Sequence, residues 1–361
     1  MNTPCNTTIQ LILGNSNKRF SGVTSTMLQV LPHQQKHMDL AVMGSHHLPA
    51  ETPCISFQQA IQLCKSTLPD GRKRVFHARR NDEMIQAIIL KKIYKAQIIP
   101  VFTSTAQRHH SRLTKWLMKQ MDGIITTCTA ASAYLEKPAD IIVPHGIDLK
   151  TYFPAEDKKQ AWAELGFPGE YGIGIFGRVR HQKGLDVLID AIIPLLKENP
   201  APTIVIVGET TPNHQEFLDE QLSKLKSAGL EDRVIVHGKR PFSEIPKLFR
   251  AMSLVAALSR NEGYGLTSPE AMASGTAVLT SEAGAWKDVV RNEIDGLVVP
   301  CGNVEATRHA LNQLLVDPNN LLEMGRNGHQ RIHEKYTIEQ EAEALCNYFK
   351  KLQSIHQSKH L

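Results

Sequence analysis

The sequence lacks the short patterns that define several metal and redox proteins. Its six cysteines are scattered and include no Cys-x-x-Cys pair, so neither a zinc knuckle nor a dithiol redox site is indicated. It also contains no His-Glu-x-x-His pattern and no Asp-x-Asp pair. We therefore expect no metal and no cofactor, and we expect the cysteines to be reduced thiols, as in the cytosol.

Long apolar runs are also missing. No run approaches the roughly 18–20 residues that a membrane-spanning helix needs. The amino terminus does not show a basic region followed by an apolar segment, which argues against a secretory signal. We expect a cytoplasmic protein whose contact with a membrane, if it makes any, is peripheral.

Aromatic residues are few, at 6%, and charge is unevenly distributed. The net charge is +5, but residues 65–121 hold thirteen Lys and Arg against three Asp and Glu. Such an excess favours phosphates, anionic lipids or nucleic acid, although a solvated basic face is an alternative. The aromatics in this window do not have the spacing of a base-stacking platform, so we do not expect a nucleic-acid partner.

The 361 residues are too many for one ordinary core and predict two domains. Strand-like apolar runs alternate with helical periods in both halves of the chain, which predicts an α/β fold of two doubly wound, Rossmann-like domains with parallel sheets. We place the first domain at residues 1–152, the second at 153–335, and a final helical segment at 336–361.

A Gly-x-Gly-x-x-Gly match, Gly172 to Gly177, suggests a dinucleotide site, but its context is wrong. The first two glycines fall within the predicted strand, and the next helix opens only near Gly184. The first acid at the end of the following strand, Glu209, is also too distant. We therefore discount a nicotinamide cofactor.

The most informative stretch runs from Arg260 to Gly275. Two carboxylates, Glu262 and Glu270, are separated by seven residues and a Gly-Tyr-Gly turn. A helix is predicted to open at Thr267 or Ser268, with Ser268 as its N-cap and Glu270 near its positive end. Backbone amides at such a turn can hold a phosphate. The stretch predicts a site for a ligand with hydroxyls and phosphates; the alternative is a loop–helix junction with solvated acids.

This stretch resembles the E-G-[FY]-G-L-x-x-x-E-A-M-A-x-G motif of the retaining glycosyltransferases of family 4 (group 1). Gly177 to Gly184 resembles the G-R-x-x-x-x-K-G motif of the same family. Pro144 to Pro154 resembles its P-x-G-[IV]-D-x-x-x-F-x-P signature, with His145 in place of the usual Asn. The resemblance covers most of the chain. It implies a GT-B fold with two domains facing a central cleft, a C-terminal helix that crosses back to the first domain, and transfer of a hexose with retention.

The resemblance also implies roles for individual residues. Glu262 would stabilise charge at the reacting sugar carbon, and Arg178 and Lys183 would absorb charge on the departing diphosphate, replacing the metal that Asp-x-Asp enzymes use. Glu270 would bind the ribose hydroxyls. The other donor-binding candidates are backbone or strand-end positions: Gly177, His237, Gly238, Gly263, Tyr264, Gly265 and Leu266. For His237 and Gly238 a plain strand end is an equal alternative.

The first half of the chain departs from the family in one respect. Many members have a His after the strand corresponding to Gln97–Phe102, whereas this chain has Thr103-Ser104-Thr105. His77, His109 or His110 could take that place, although each could also be an ordinary surface or capping histidine. The tentative acceptor-binding residues are Gly22, His77, Arg79, Arg80, Arg108 and His109.

Residues 76–81 and 101–108 resemble lipopolysaccharide inner-core mannosyltransferases, which move mannose from GDP-mannose onto a lipid-A-linked Kdo sugar. This resemblance implies a nucleotide-sugar donor, a lipid-linked glycan acceptor, and peripheral contact with the anionic inner face of the inner membrane. The alternatives are a UDP-sugar donor, a phosphatidylinositol or heptose acceptor and, more distantly, a non-enzymatic nucleic-acid-binding protein.

Overall fold

A computed structural model describes residues 8–358 of the chain, so Cys5 lies outside the described range. None of the other five cysteines is in a disulfide. Contacts divide the chain into two units. The first runs to Gly146 and resumes at Ile338, and the second is Ile147–Thr337.

The first unit contains a seven-stranded parallel sheet in the order β3-β2-β1-β4-β5-β6-β7. Its inner strands are short, mainly apolar runs that are largely buried on both faces, as expected for a parallel sheet covered by helices, whereas the two short edge strands are partly exposed. The strands are β1 Leu11–Gly14, β2 Leu40–Met43, β3 Cys54–Ile55, β4 Arg74–Ala78, β5 Ile98–Ser104, β6 Gly123–Thr126 and β7 Ile141–Ile142.

Helices cover this sheet on two sides. One core includes residues of the first and last helices, and the other includes residues of the second and third. The helices are α1 Gly22–Gln34, α2 Phe57–Leu63, α3 Asn81–Lys92, α4 Arg112–Met118, α5 Thr129–Ala133 and the C-terminal α14 Ile338–Ser358. Ala342, Cys346 and Phe349 of α14 are fully buried in the first core, so this final helix is part of the first unit.

The second unit contains a six-stranded parallel sheet in the order β10-β9-β8-β11-β12-β13. Its strands are β8 Tyr171–Phe176, β9 Pro202–Val207, β10 Val234–Gly238, β11 Met252–Ala257, β12 Ala277–Ser281 and β13 Gly296–Val299. Its helices are α6 Lys158–Ala163, α7 Leu185–Glu198, α8 Gln215–Ser227, α9 Ile245–Ala251, α10 Thr267–Ala273, α11 Trp286–Val289, α12 Val304–Val316 and α13 Pro318–Lys335. The prediction of two doubly wound α/β units is therefore confirmed.

Two details differ from the sequence analysis. The contacts place the divisions after Gly146 and Thr337 instead of after residues 152 and 335. Residues 147–152 belong with the second unit because the Ile147 amide donates to the Tyr336 carbonyl and Tyr152 donates to Glu270. The predicted N-cap is also wrong: helix α10 begins at Thr267, Leu266 occupies the N-cap position, and Ser268 is buried inside the helix.

The discounted dinucleotide pattern is placed as the sequence analysis predicted. Gly172 and Gly174 lie inside β8, and α7 begins only at Leu185. A Cβ on Gly172 would lie 2.3 Å from the ring of Trp162, and a Cβ on Gly174 would lie 2.4 Å from the ring of Phe176. These two glycines make room for aromatic side chains and do not form a phosphate-binding turn.

Candidate active site

The two motifs of the second unit lie on loops that follow neighbouring strands, β8 and β11. The strand order reverses between them, since β9 continues on one side and β12 on the other. Loops leaving the carboxyl ends of strands diverge at such a reversal and leave a crevice in which ligands bind. Residues 177–184 and 258–266 therefore lie where doubly wound sheets place their ligands.

The side chains of Lys183 and Glu262 meet between these loops. The Lys183 ammonium donates a hydrogen bond to Glu262 Oε1, and Ser259 Oγ donates to the same oxygen at 2.8 Å. Both side chains are largely buried, at 22% and 11% exposed. Within residues 8–358 no hydrogen bond reaches Glu262 Oε2, so this oxygen remains available to a ligand. The structure thus brings together two of the three predicted catalytic residues.

A second set of contacts ties the two loops to each other. Arg260 forms a bidentate ion pair with Asp186, at 3.0 and 2.8 Å, and donates to the His181 carbonyl at 2.6 Å. Burial is the largest single influence on Asp186 and opposes its ionisation, but the hydrogen bonds and charge of Arg260, together with His181, lower its pKa overall. The Arg260 amide also donates to the carbonyl of Gln182 at 2.8 Å. These contacts hold the two loops together beside the Lys183–Glu262 pair.

Two glycines allow these loops to pack closely against their neighbours. Gly184 has φ +76°, and a Cβ there would lie 2.2 Å from the Leu258 carbonyl oxygen. Gly265 has φ +87°, and a Cβ there would lie 2.6 Å from Nε1 of Trp286, which donates to the Gly265 carbonyl at 2.7 Å. Larger residues would be both strained and obstructed at these positions. Gly184 therefore permits the close approach of the two loops, and Gly265 permits the second loop to pack on Trp286 of α11.

Glu270 lies in the first turn of α10 and accepts a hydrogen bond from the Tyr152 hydroxyl at 3.1 Å. Burial raises the pKa of Glu270 to about 7, and the hydrogen bond from Tyr152 partly opposes this rise. Glu270 shares no hydrogen-bond partner with Lys183 or Glu262 among the described residues. The carboxyl group is therefore poised between its neutral and ionised forms near neutral pH.

Arg178 differs from Lys183 in its surroundings. Its side chain is exposed, and in the described part of the chain it makes no hydrogen bond or ion pair. Gly177, immediately before it, has φ +122° and lies beside the aliphatic part of Lys183. The Lys183 charge is compensated by Glu262, whereas the Arg178 charge remains available to an anion.

The remaining donor candidates fall into two groups. Gly263 and Tyr264 are buried and Leu266 half-buried in the loop after β11, where the Tyr264 carbonyl accepts from the Ala285 amide at 3.0 Å. His237 and Gly238 end the edge strand β10, which is separated from β8 by β9. The ring of His237 packs edge-on against Phe167, and its Nδ1 lies 3.3 Å from Arg240.

In the first unit, the acceptor candidates of β4 and α1 lie near the strand reversal between β1 and β4. His77 is buried, with its Nε2 2.7 Å from Thr103 Oγ1, and burial lowers its pKa well below the usual value, so its ring is neutral. Arg79 is half-buried, and its amide donates to Glu83 at 2.7 Å. Arg80 donates to Ser21 and Thr24, beside the exposed Gly22 that begins α1.

The other two acceptor candidates, Arg108 and His109, are exposed in the loop after β5. The histidine that contacts the end of β5 is His110, whose Nε2 lies 2.9 Å from Ser104 Oγ. Burial lowers the pKa of His110, so a neutral ring is favoured there. The sequence analysis named His110 as a neighbour of this strand end but did not include it among the acceptor-binding residues.

Comparison with known proteins assigns the family. The model of the glycosyl transferases group 1 family matches residues 157–331. The chain is 38% identical to the lipopolysaccharide core biosynthesis mannosyltransferase LpcC of Rhizobium leguminosarum bv. viciae, covering 93% of this chain and 95% of the relative. This protein belongs to the group 1 glycosyl transferases. It is also 38% identical to the mannosyltransferase LpsB of Rhizobium meliloti, covering 95% of this chain and 98% of that protein.

Solved structures agree with this assignment. The C-terminal domain of the group 1 protein LpcC from Francisella tularensis is 37% identical, covers 53% of this chain and gives a TM-score of 0.51. Anabaena HepE in complex with UDP is 16% identical, covers 95% of this chain and gives a TM-score of 0.80, which shows a shared fold. The two parallel-sheet units are those of the GT-B glycosyltransferases.

No three His, Cys, Asp or Glu side chains within residues 8–358 lie close enough together to hold a metal ion. No helix in the same range has the length and apolar character needed to cross a bilayer.

Proposed function

We propose that this glycosyltransferase moves mannose from GDP-mannose, with retention of anomeric configuration, onto the Kdo–lipid A acceptor of the lipopolysaccharide inner core. The donor chemistry is supported by one observation above all: Lys183 and Glu262 meet at the strand reversal, with the exposed side chain of Arg178 on the same loop as Lys183. The mannose and lipopolysaccharide assignment is supported by the identity to LpcC and LpsB over nearly their whole lengths.

The proposed chemistry uses these residues in defined roles. The bond between the sugar carbon and the diphosphate oxygen breaks, and the electron pair remains on the diphosphate. Arg178 and Lys183 stabilise that developing negative charge, which fixed cations do well in a site shielded from water. Glu262 stabilises the positive charge that develops at the sugar carbon. The acceptor hydroxyl forms the new bond, and its proton leaves with the diphosphate.

We also propose that the reaction needs no divalent metal. A metal ion in such reactions bridges and neutralises the leaving diphosphate. In this chain the guanidinium of Arg178 and the ammonium of Lys183 neutralise the leaving diphosphate instead. The planar guanidinium of Arg178 also suits bidentate contact with a phosphate.

A donor screen tests the function directly. We expect GDP-mannose, and not UDP-glucose, UDP-GlcNAc or ADP-heptose, to raise the melting temperature by several degrees, because a ligand at 100 times its Kd stabilises the native state by about 2.7 kcal/mol. Transfer of radiolabelled mannose to Kdo–lipid A should then proceed equally well with excess EDTA. Stabilisation by a UDP-sugar alone would replace the GDP-mannose assignment, and a requirement for Mg²⁺ would contradict the metal-free chemistry.

Peripheral membrane contact is a further part of the proposal, and α4 offers the surface for it. Leu113 and Trp116, one turn apart, are 56% and 52% exposed. Arg108 and Arg112 are exposed close to them in the chain, and Lys115 and Lys119 of the same segment pair with Glu136. Exposed apolar side chains surrounded by basic ones favour the interface of an anionic bilayer, where tryptophan is also enriched.

The L113S/W116S double variant is expected to bind vesicles containing anionic phosphatidylglycerol about tenfold more weakly, because it removes two apolar side chains from the interface. The matched control is Val316→Ser, which alters an apolar residue of the second unit that is 77% exposed. This control should bind vesicles as the wild type does. Equal binding by the double variant and the wild type would rule out α4 as the contact.

A further inference from the structure

The contact between Tyr152 and Glu270 carries an inference about donor binding. A phenol donates to a carboxylate, and the Tyr152 hydroxyl lies 3.1 Å from Glu270 Oε1. Within residues 8–358 this is the one hydrogen bond to the Glu270 carboxyl group. The second carboxyl oxygen, Oε2, thus keeps its full capacity to accept hydrogen bonds from a ligand.

Tyr152 is held firmly where it makes this contact. Its side chain is 8% exposed, and its ring packs edge-on against Phe249 at 6.0 Å. Phe249 in turn stacks on Phe176, the last residue of β8, at 4.0 Å. The Tyr152 amide donates to the Asp148 carbonyl at 2.9 Å. The hydroxyl is therefore positioned before any ligand arrives, which reduces the entropic cost of orienting the carboxylate.

Among the described residues, no other ionisable side chain forms a hydrogen bond or ion pair with the Glu270 carboxyl group. Burial raises the pKa of Tyr152 most, Glu270 raises it next, and Asp148, in the loop before Tyr152, adds a smaller increase. Arg250 of α9 lies over the ring of Phe153, at 3.8 Å, and His329 of α13 contacts the Ala273 carbonyl. Strands β11 and β12 carry no ionisable side chain. Burial therefore disfavours the ionised form of Glu270, and the hydrogen bond from Tyr152 favours it.

We propose that Tyr152 is a positioning residue for the donor: its hydroxyl favours the ionised form of the Glu270 carboxyl group and orients it to accept hydrogen bonds from the ribose hydroxyls of the nucleotide. This inference rests on the proposed function, in which Glu270 binds that ribose.

The test is Tyr152→Phe, which keeps the buried ring and removes only the hydroxyl. We expect the KM for GDP-mannose at pH 7 to rise about tenfold, with kcat changed less than about twofold, because one hydrogen bond to a charged group is lost. Without the Tyr152 hydroxyl the pKa of Glu270 rises further. The pH above which the donor binds should therefore be higher in the variant than in the wild type. The KM difference should then shrink to less than about threefold near pH 9, where the carboxyl group is ionised in both proteins.

The matched control is Tyr171→Phe, which removes the hydroxyl of another buried tyrosine of the same unit, at the start of β8. Its donor KM and pH profile should remain those of the wild type. A wild-type KM and pH profile in Y152F would overturn the inference, and so would a KM increase that stays constant from pH 6 to pH 9. If the wild type and Y171F bind no nucleotide sugar at all, the proposed function fails instead.

Discussion

Replacing Glu262 by Gln is expected to lower kcat for mannose transfer by about 10²–10³-fold, the usual loss when one preorganised charge-stabilising group is removed from an active site. Gln has the same shape, so the side chain can still accept from Lys183 and Ser259, which both bond to Glu262 Oε1. What the variant loses is the negative charge beside the reacting carbon. Because binding of the nucleotide does not depend on that charge, the donor KM should change less than about threefold.

A charge-neutralising control isolates this effect. Glu282→Gln makes the same substitution in the same unit, at an exposed carboxylate that pairs with Lys287 at 3.2 Å. It should leave kcat unchanged, since exposed ion pairs contribute little. Both variants should melt within a few degrees of the wild type. Turnover by E262Q within fivefold of the wild-type rate, measured at saturating donor and acceptor, would remove Glu262 from the catalytic residues.

The alternation of strands and helices in both halves, and the places of the two motifs after strands, could be predicted from the sequence because both are encoded locally. Buried parallel strands are continuous apolar runs, and their alternation with helical periods indicates doubly wound sheets. Each motif fixes its residues within about fifteen positions, so Glu262 and Glu270 fall on one loop and the following helix.

Contacts between distant segments could not be predicted in the same way. Lys183 and Glu262 are 79 positions apart, and Tyr152 and Glu270 are 118 apart. The ion pair of Arg260 with Asp186 was missed for the same reason, since nothing near either residue marks it as paired. The sequence contains a weak indication of the contact between Ser259 and Glu262. A hydroxyl three residues before a carboxylate can donate to it when the loop between them turns.

Two local predictions needed the structure to correct or refine them. Serine is a preferred residue type at N-caps, but the side chain of Ser268 is buried, and the helix begins one residue before it, at Thr267. In the first unit, either His109 or His110 could have reached the strand end, and only His110 bonds to Ser104. Residue propensity indicates which residue types suit a position. Tertiary packing determines which of two adjacent candidates occupies it.

Arg178→Gln and Lys183→Gln should both reduce kcat/KM for mannose transfer by about 10²-fold or more, because each removes a cation that stabilises the departing diphosphate. Their effects on stability should differ. Arg178 is exposed and unpaired within the described residues, so its loss should leave the free energy of unfolding unchanged within about 0.5 kcal/mol. Loss of Lys183 leaves the largely buried Glu262 carboxylate without its cation, which should cost about 1–3 kcal/mol.

Urea unfolding of the two variants, measured beside their kinetics, separates the two contributions. Arg178→Lys should recover part of the activity, since it restores the charge but not the planar guanidinium that can contact two phosphate oxygens at once. In K183Q, the destabilisation should largely disappear when Glu262 is also replaced by Gln, because the unpaired carboxylate is then gone. A stable, active R178Q enzyme would show that Lys183 alone serves the leaving group. Equal destabilisation of K183Q and of the K183Q/E262Q double variant would mean that the pair seen between the two loops does not contribute to folding.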